Sequence, residues 1–212
     1  MRVESRRAFA LWAPLYESAP NPLVSLETRI VGSRLPELRG QIVVDAASGA
    51  GRWGKIAVSR GARAVYTDIC PEMLMRVREG ACVQADMRAL PFPDNFADLA
   101  ICSLALGYVP SASPALRELG RVARRVIVSD LHPDAVRAGW ARSFRAGGRS
   151  IQIAHYSHSI RDIDLPGMAR EWVTEARFGP AELAVFRAAG REDLFASACS
   201  VNALYAASWV RQ

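Results

Sequence analysis

Five short runs of β-branched and small residues recur between residues 41 and 130, and four of the five stop on an aspartate. They are Gln41–Asp45, Ala64–Asp68, Ala81–Asp86, Ala97–Ser103 and Arg125–Asp130. Helical stretches separate most of them. One runs from the glycine loop to Arg60, one opens at Pro71, and one covers Pro114 to Ala123. Proline at a first helical position costs no hydrogen bond, because that amide has no partner within the helix. Strands alternating with helices predict βαβ units and a parallel sheet. Right-handed crossovers then put helices on both faces. Ligands of such sheets bind beyond the carboxyl ends of the strands. The expected site therefore gathers Asp45, Asp68, Asp86, Ser103 and Asp130.

The first of these ends leads into Gly49-Ala-Gly51-Arg-Trp-Gly54, which has the form G-x-G-x-x-G. Glycines there let a backbone approach a pyrophosphate at a helix start. They also suit a plain tight turn. The acids decide between ligands. A carboxylate at Asp45 would repel a pyrophosphate and attract an ammonium or sulfonium group. Asp68 can accept from two ribose hydroxyls, and Asp86 from an adenine amino group. Three carboxylates at three strand ends suit a cationic nucleoside better than a dinucleotide.

At these residues the chain resembles the class I S-adenosylmethionine-dependent methyltransferases. Val43-Val-Asp-Ala-Ala-Ser-Gly-Ala-Gly51 is similar to their first motif, and Thr67-Asp-Ile-Cys-Pro-Glu-Met-Leu74 to the motif of their second strand. Gln84–Phe92, Phe96–Leu106 and the stretch from Arg117 to His132 resemble the motifs that follow. Ala47 stands where the family often has its first glycine, and Ser48 where it often has cysteine. The Pro-Gly that usually precedes the fifth strand is missing before Arg125.

The resemblance implies an α/β, Rossmann-like, mostly parallel seven-stranded sheet under an N-terminal helical cap. It also implies S-adenosyl-L-methionine as cofactor. One domain is expected over residues 1–212, with a cap to 38, a cofactor-binding core over 39–131 and a substrate-side segment from 132. By the same resemblance, Asp45 and the backbone of Ala47, Ser48, Gly49 and Gly51 hold the methionine part. Asp68 and Ile69 hold the ribose, Asp86 and the Met87 amide the adenine, and Ser103 and Leu104 lie beneath the sulfonium. Met73 packs near the adenosine or simply in the core. The family uses an N-terminal segment as a lid, which makes Tyr16, and less so Trp12, candidates to cover the sulfonium. Tyr108 and Trp140 are lesser candidates of that kind.

Methyl transfer needs alignment and dryness, and an oxygen or nitrogen nucleophile can also need a base. His132, after the fifth strand, is the candidate. His155 and His158 flank Tyr156 in a segment, Ile151–His158, that reads as extended; as a strand it would turn them to opposite faces. Pro180–Ala198 reads as a helix and Ala203–Val210 as a last strand. The fourth run ends in Cys-Ser-Leu-Ala, which disfavours the enzymes that methylate base amino groups in nucleic acids.

Composition and charge set bounds. A net charge of +6 raises the possibility of an RNA methyltransferase, but the basic residues are scattered, almost all arginine, and form no run. The glycine loop by itself also fits an NAD-dependent oxidoreductase, and the fold by itself also fits a non-catalytic cofactor-binding protein. Cys70, Cys82, Cys102 and Cys199 have no CxxC spacing, so neither a disulfide framework nor a metal site is expected. No apolar run is long enough to span a bilayer, and the charged N-terminus is a poor signal peptide. The expectation is a cytoplasmic enzyme with a small-molecule acceptor, no membrane and no nucleic-acid partner.

Overall fold

The structure is a computed structural model that describes residues 2–212. The chain runs β1 (Arg2–Val3), α1 (Ser5–Trp12), α2 (Pro22–Gly32), β2 (Ile42–Ala46), α3 (Arg52–Ser59), β3 (Arg63–Asp68), α4 (Pro71–Leu74) and β4 (Ala81–Gln84). It continues with β5 (Ala97–Ser103), α5 (Ser113–Val122), β6 (Ala123–Leu131), α6 (Pro133–Arg137), β7 (Ser143–Ala146) and β8 (Arg149–Ile153). It ends with β9 (Met168–Ala176), α7 (Leu183–Ala188), α8 (Phe195–Cys199) and β10 (Leu204–Arg211).

The main sheet has seven strands in the order β4-β3-β2-β5-β6-β10-β9. Its first five strands are parallel, and β10 is antiparallel to both neighbours. The central strands are apolar on both faces because helices cover both. On one face Val44, Ala100 and Val126 pack against Leu116, Leu119 and Val122 of α5. On the other, Val43, Leu99 and Ile127 pack against Val31, Trp53 and Ala57. The reversal of strand order lies between β2 and β5, so the crevice forms where β2, β3 and β5 end.

A second, three-stranded sheet in the order β1-β8-β7 was not expected from the sequence. Its hairpin turns on Gly147 and Gly148, both at positive φ, the two-residue geometry that matches the twist of the strands. That glycine pair was a readable signal. The tail also differs from the expected single helix. Gly190 has φ +65° and ends the first half, so residues 180–198 form α7, α8 and short turns. Extended backbone stops at Ile153, which leaves His155 and His158 in a loop and removes the face argument. The helix opened by Pro71 is a single turn. No helix among the described residues is long and apolar enough to cross a membrane.

One close approach fixes α3 against the sheet. A Cβ on Gly54 would lie 2.1 Å from Cε1 of Tyr66, whose ring is buried. Gly54→Ala must therefore displace a ring or the helix. It is expected to cost about 1–3 kcal/mol in urea unfolding. The accompanying fall in Tm should be about 2–4 °C per kcal/mol for a chain of this size.

Candidate cofactor and acceptor site

The glycine loop leaves β2 and returns as α3, and two buried carboxylates fix it. Gly54 donates its amide to Oδ2 of Asp45 at 2.8 Å. Gly49 donates to Oδ2 of Asp68, also at 2.8 Å, while Cys70 donates to Oδ1. Burial pushes the Asp45 carboxyl up to about 7, against the pull of the Gly54 amide and Arg52. Burial likewise raises Asp68, and the amides of Cys70, Gly49 and Ile69 oppose it. Ala47 has φ +52°, a left-handed conformation that favours glycine, so alanine is strained where the family often has glycine. Leu104, at the end of β5, is strained in the same way at +54°.

A cavity of about 1010 Å³ opens above these strand ends. Nine of the residues expected to hold the cofactor line it, namely Tyr16, Ala47, Gly49, Asp68, Ile69, Asp86, Met87, Ser103 and Leu104, and so do the lesser aromatic candidates Trp12, Tyr108 and Trp140. Asp86 is held bidentately by Arg88, which keeps its carboxyl below the usual range. Tyr16 lies over the loop: a Cβ on Gly49 would stand 3.3 Å from its hydroxyl. Burial pushes the Tyr16 phenol up to about 12, so it serves as a donor and a cover, and not as a base.

Six expected residues do not reach the cavity wall, among them Asp130, which is taken by Arg142 and the amides of Gly107 and Leu131. Asp45 faces back to Gly54. Ser48 is spent on the loop, its amide donating to Thr67 O at 2.8 Å. Gly51, at φ +80°, makes the turn into α3. Met73 is fully buried with Ala13 and Cys70. His132 caps α6: its Nδ1 accepts from the Asp134 amide at 3.0 Å and its Nε2 faces Glu175 at 3.3 Å. The preference of Pro133 for a first helical position explains why the preceding residue became a cap.

The rest of the wall comes largely from outside the motif residues. Tyr108, Leu131, Trp140, Arg142, Phe178 and Phe186 line it, and of these only Tyr108 and Trp140 were candidates from the sequence. Arg142 is paired with Asp130, donates to Leu104 O, and lies 4.6 Å over the Tyr108 ring. Neither histidine nor lysine lines the cavity among the described residues.

One more buried carboxylate ties the helical cap to the sheet. Oε1 of Glu27, on α2, accepts from Trp53 Nε1 at 3.1 Å, Ser103 Oγ at 2.8 Å and Ser129 Oγ at 2.7 Å. Its Oε2 faces Nη1 of Arg52 at 2.7 Å. Arg52 also donates to Thr28 and Ser103. Through Ser103 this cluster reaches the cavity floor.

The family model that matches this chain is described as a methyltransferase domain and covers residues 44–126. A malonyl-[acyl-carrier protein] O-methyltransferase from Halorhodospira halophila is 35% identical over 132 residues, or 55% of this chain and 43% of that protein. The chain thus spans less than half the length of that relative. An S-adenosylmethionine-dependent methyltransferase structure from Mesorhizobium loti superposes with a TM-score of 0.66 at 22% identity, covering 88% of this chain and 98% of the other. The [4+2]-cyclase SpnF superposes equally well, at 0.66 and 14% identity, over 97% of this chain and 95% of that one. At these identities the structures establish the fold and leave the reaction to the site.

Two outcomes test the geometry. Glu27→Ala strands three donors and Arg52, and is expected to cost about 3–5 kcal/mol in urea unfolding. Asp45 has its folded pKa raised from 3.8 to about 7, so its protonation favours the folded state most below the lower value. That contribution is lost as pH rises through about 7. Asp45→Asn does not titrate. The stability of the unaltered protein relative to that variant should therefore be greater at pH 5 than at pH 8.

Proposed function

We propose, from the premise that the chain carries a class I methyltransferase domain, that it transfers a methyl group from S-adenosyl-L-methionine to a small-molecule acceptor. The observation that carries this reading is Asp68. Its two oxygens each hold one backbone amide, from Gly49 and from Cys70, and each keeps a lone pair for a ribose hydroxyl at the cavity wall. The donor set around it fits a cationic nucleoside. Gly49 brings bare backbone to the wall, and Asp86 stays anionic beside the Met87 amide.

In this reading Asp68 and Ile69 hold the ribose, and Asp86 with the Met87 amide holds the adenine. The loop from Ala47 to Gly51, braced by Asp45, holds the methionine part. Ser103 and Leu104 lie beneath the sulfonium and Tyr16 covers it. The cofactor supplies a methyl carbon made electrophilic by its bond to a sulfonium. The chain's own work is to align an acceptor with that carbon and to keep water out. With no histidine or lysine on the wall among the described residues, the site suits an acceptor whose nucleophile needs no strong base. The four free cysteines support a reducing, cytoplasmic setting.

Calorimetric titration with S-adenosylhomocysteine and with NAD separates this reading from an oxidoreductase. Binding of the first and not the second is expected. Asp68→Ala should weaken S-adenosylhomocysteine by roughly 1.5–3 kcal/mol, the usual worth of hydrogen bonds to a charged group. Unchanged affinity in that variant would remove the assignment.

A further inference from the structure

The lining of the cavity divides by chemistry. One side carries the strand-end acids Asp68 and Asp86. The residues that the substrate-side segment gives to the wall include aromatic rings and two arginines, Arg142 and Arg191, and no acid, while Glu4 and Arg6 reach the wall from the start of the chain. Trp140 stacks on Phe178 at 5.8 Å and 21°, and Phe178 meets Phe186 edge-on at 4.9 Å. This is a wall for a flat apolar body. The cavity, at about 1010 Å³, is at the upper end of the roughly 300–1,000 Å³ usual for a single ligand, so it has room for two side by side.

The two arginines differ. The charge of Arg142 is answered by Asp130, which also accepts from the Gly107 and Leu131 amides. Arg191 lines the cavity just after Phe186, whose carbonyl accepts its amide at 2.9 Å. Its guanidinium forms no ion pair with a carboxylate among the described residues. The adjacent Glu192 is taken by Arg187 at 2.7 Å. Of the described residues that the substrate-side segment gives to the wall, Arg191 is thus the one cation without a carboxylate partner, and none is an acid.

We propose that the acceptor is an organic acid with a flat, apolar body, and that Arg191 is the residue that selects it. The rings of Trp140, Phe178 and Phe186 receive the body, and the Arg191 guanidinium receives the anion. This deepens the methyltransferase reading and rests on it. An amine acceptor would bring a second cation into a site that already holds a sulfonium and Arg191. A neutral acceptor would leave the arginine with water alone.

The test uses the full chain saturated with S-adenosylhomocysteine and titrated with 1-naphthaleneacetate or its uncharged amide. The acid should bind at least fivefold tighter than the amide, as a single charge-assisted contact provides. Arg191→Met should abolish that preference, and Arg191→Lys should restore part of it. S-adenosylhomocysteine affinity should stay within twofold in both variants, since Arg191 is exposed and belongs to none of the segments assigned to the cofactor. Equal affinity for acid and amide overturns the inference, as does an undiminished preference in Arg191→Met. Binding of S-adenosylhomocysteine with neither naphthalene compound overturns it and leaves the methyltransferase reading standing. Failure to bind S-adenosylhomocysteine removes both.

Discussion

Two aspartates, gripping one glycine loop from either end, are what the rest of the site depends on. Asp45 closes β2 and holds the amide at the start of α3, while Asp68 closes β3 and holds the amide at the tip of the loop. Both are buried, where a bare carboxylate would be costly and a hydrogen-bonded one is tolerated. The loop contains three residues at positive φ, Ala47, Gly49 and Gly51, and left to itself would sample many shapes. The two carboxylates select one. Backbone at Gly49 is thereby presented to the cavity without a side chain of its own in the way.

Glu27 performs the corresponding task for the cap. It draws Trp53, Ser103, Ser129 and Arg52 onto one carboxylate, and so joins α2 to α3, β5 and β6. The placement of Tyr16 over the loop follows from this joint and from the stacking of Trp12 on Phe144, with ring centroids 5.0 Å apart. The cap is thus fastened on one side by a buried polar cluster and on the other by aromatic contact with the small second sheet. The two fastenings differ in kind. The polar one specifies position, while the aromatic one tolerates sliding.

The parallel half of the fold was legible because its signals are local. A β-branched run ending in an acid, then glycine or proline opening a helix, marks Asp45 and Asp68 without any knowledge of their neighbours. The hairpin at Gly147-Gly148 was legible too, in the glycine pair, though its strands are short and half exposed. Beyond Trp12 and Tyr16, the aromatic part of the cavity was legible only in Tyr108 and Trp140, the lesser candidates. Trp140, Phe178 and Phe186 come from two loops and a short helix, and meet only through the tertiary fold; no periodicity links them. Arg191 looks like any surface arginine until Phe186 and its fold place it on the cavity. His132 misleads for a related reason. It stands at the correct edge of the sheet, but a helix start needed an acceptor there, and its ring nitrogen supplied one.

The antiparallel strand β10 lies inside the sheet, not at its edge: β6 flanks it on one side and β9 on the other. It is buried through Trp209. During synthesis the strands that carry the site emerge first, yet β6 keeps an unpaired edge until residues 204–211 leave the ribosome. The same is true of β9, which has no other partner in the sheet. The nascent chain therefore passes through a stage with two open edges and an uncovered apolar face, the kind of surface that recruits neighbouring chains. Closure of the sheet therefore waits on β10, the strand that stands farthest along the chain from the glycine loop.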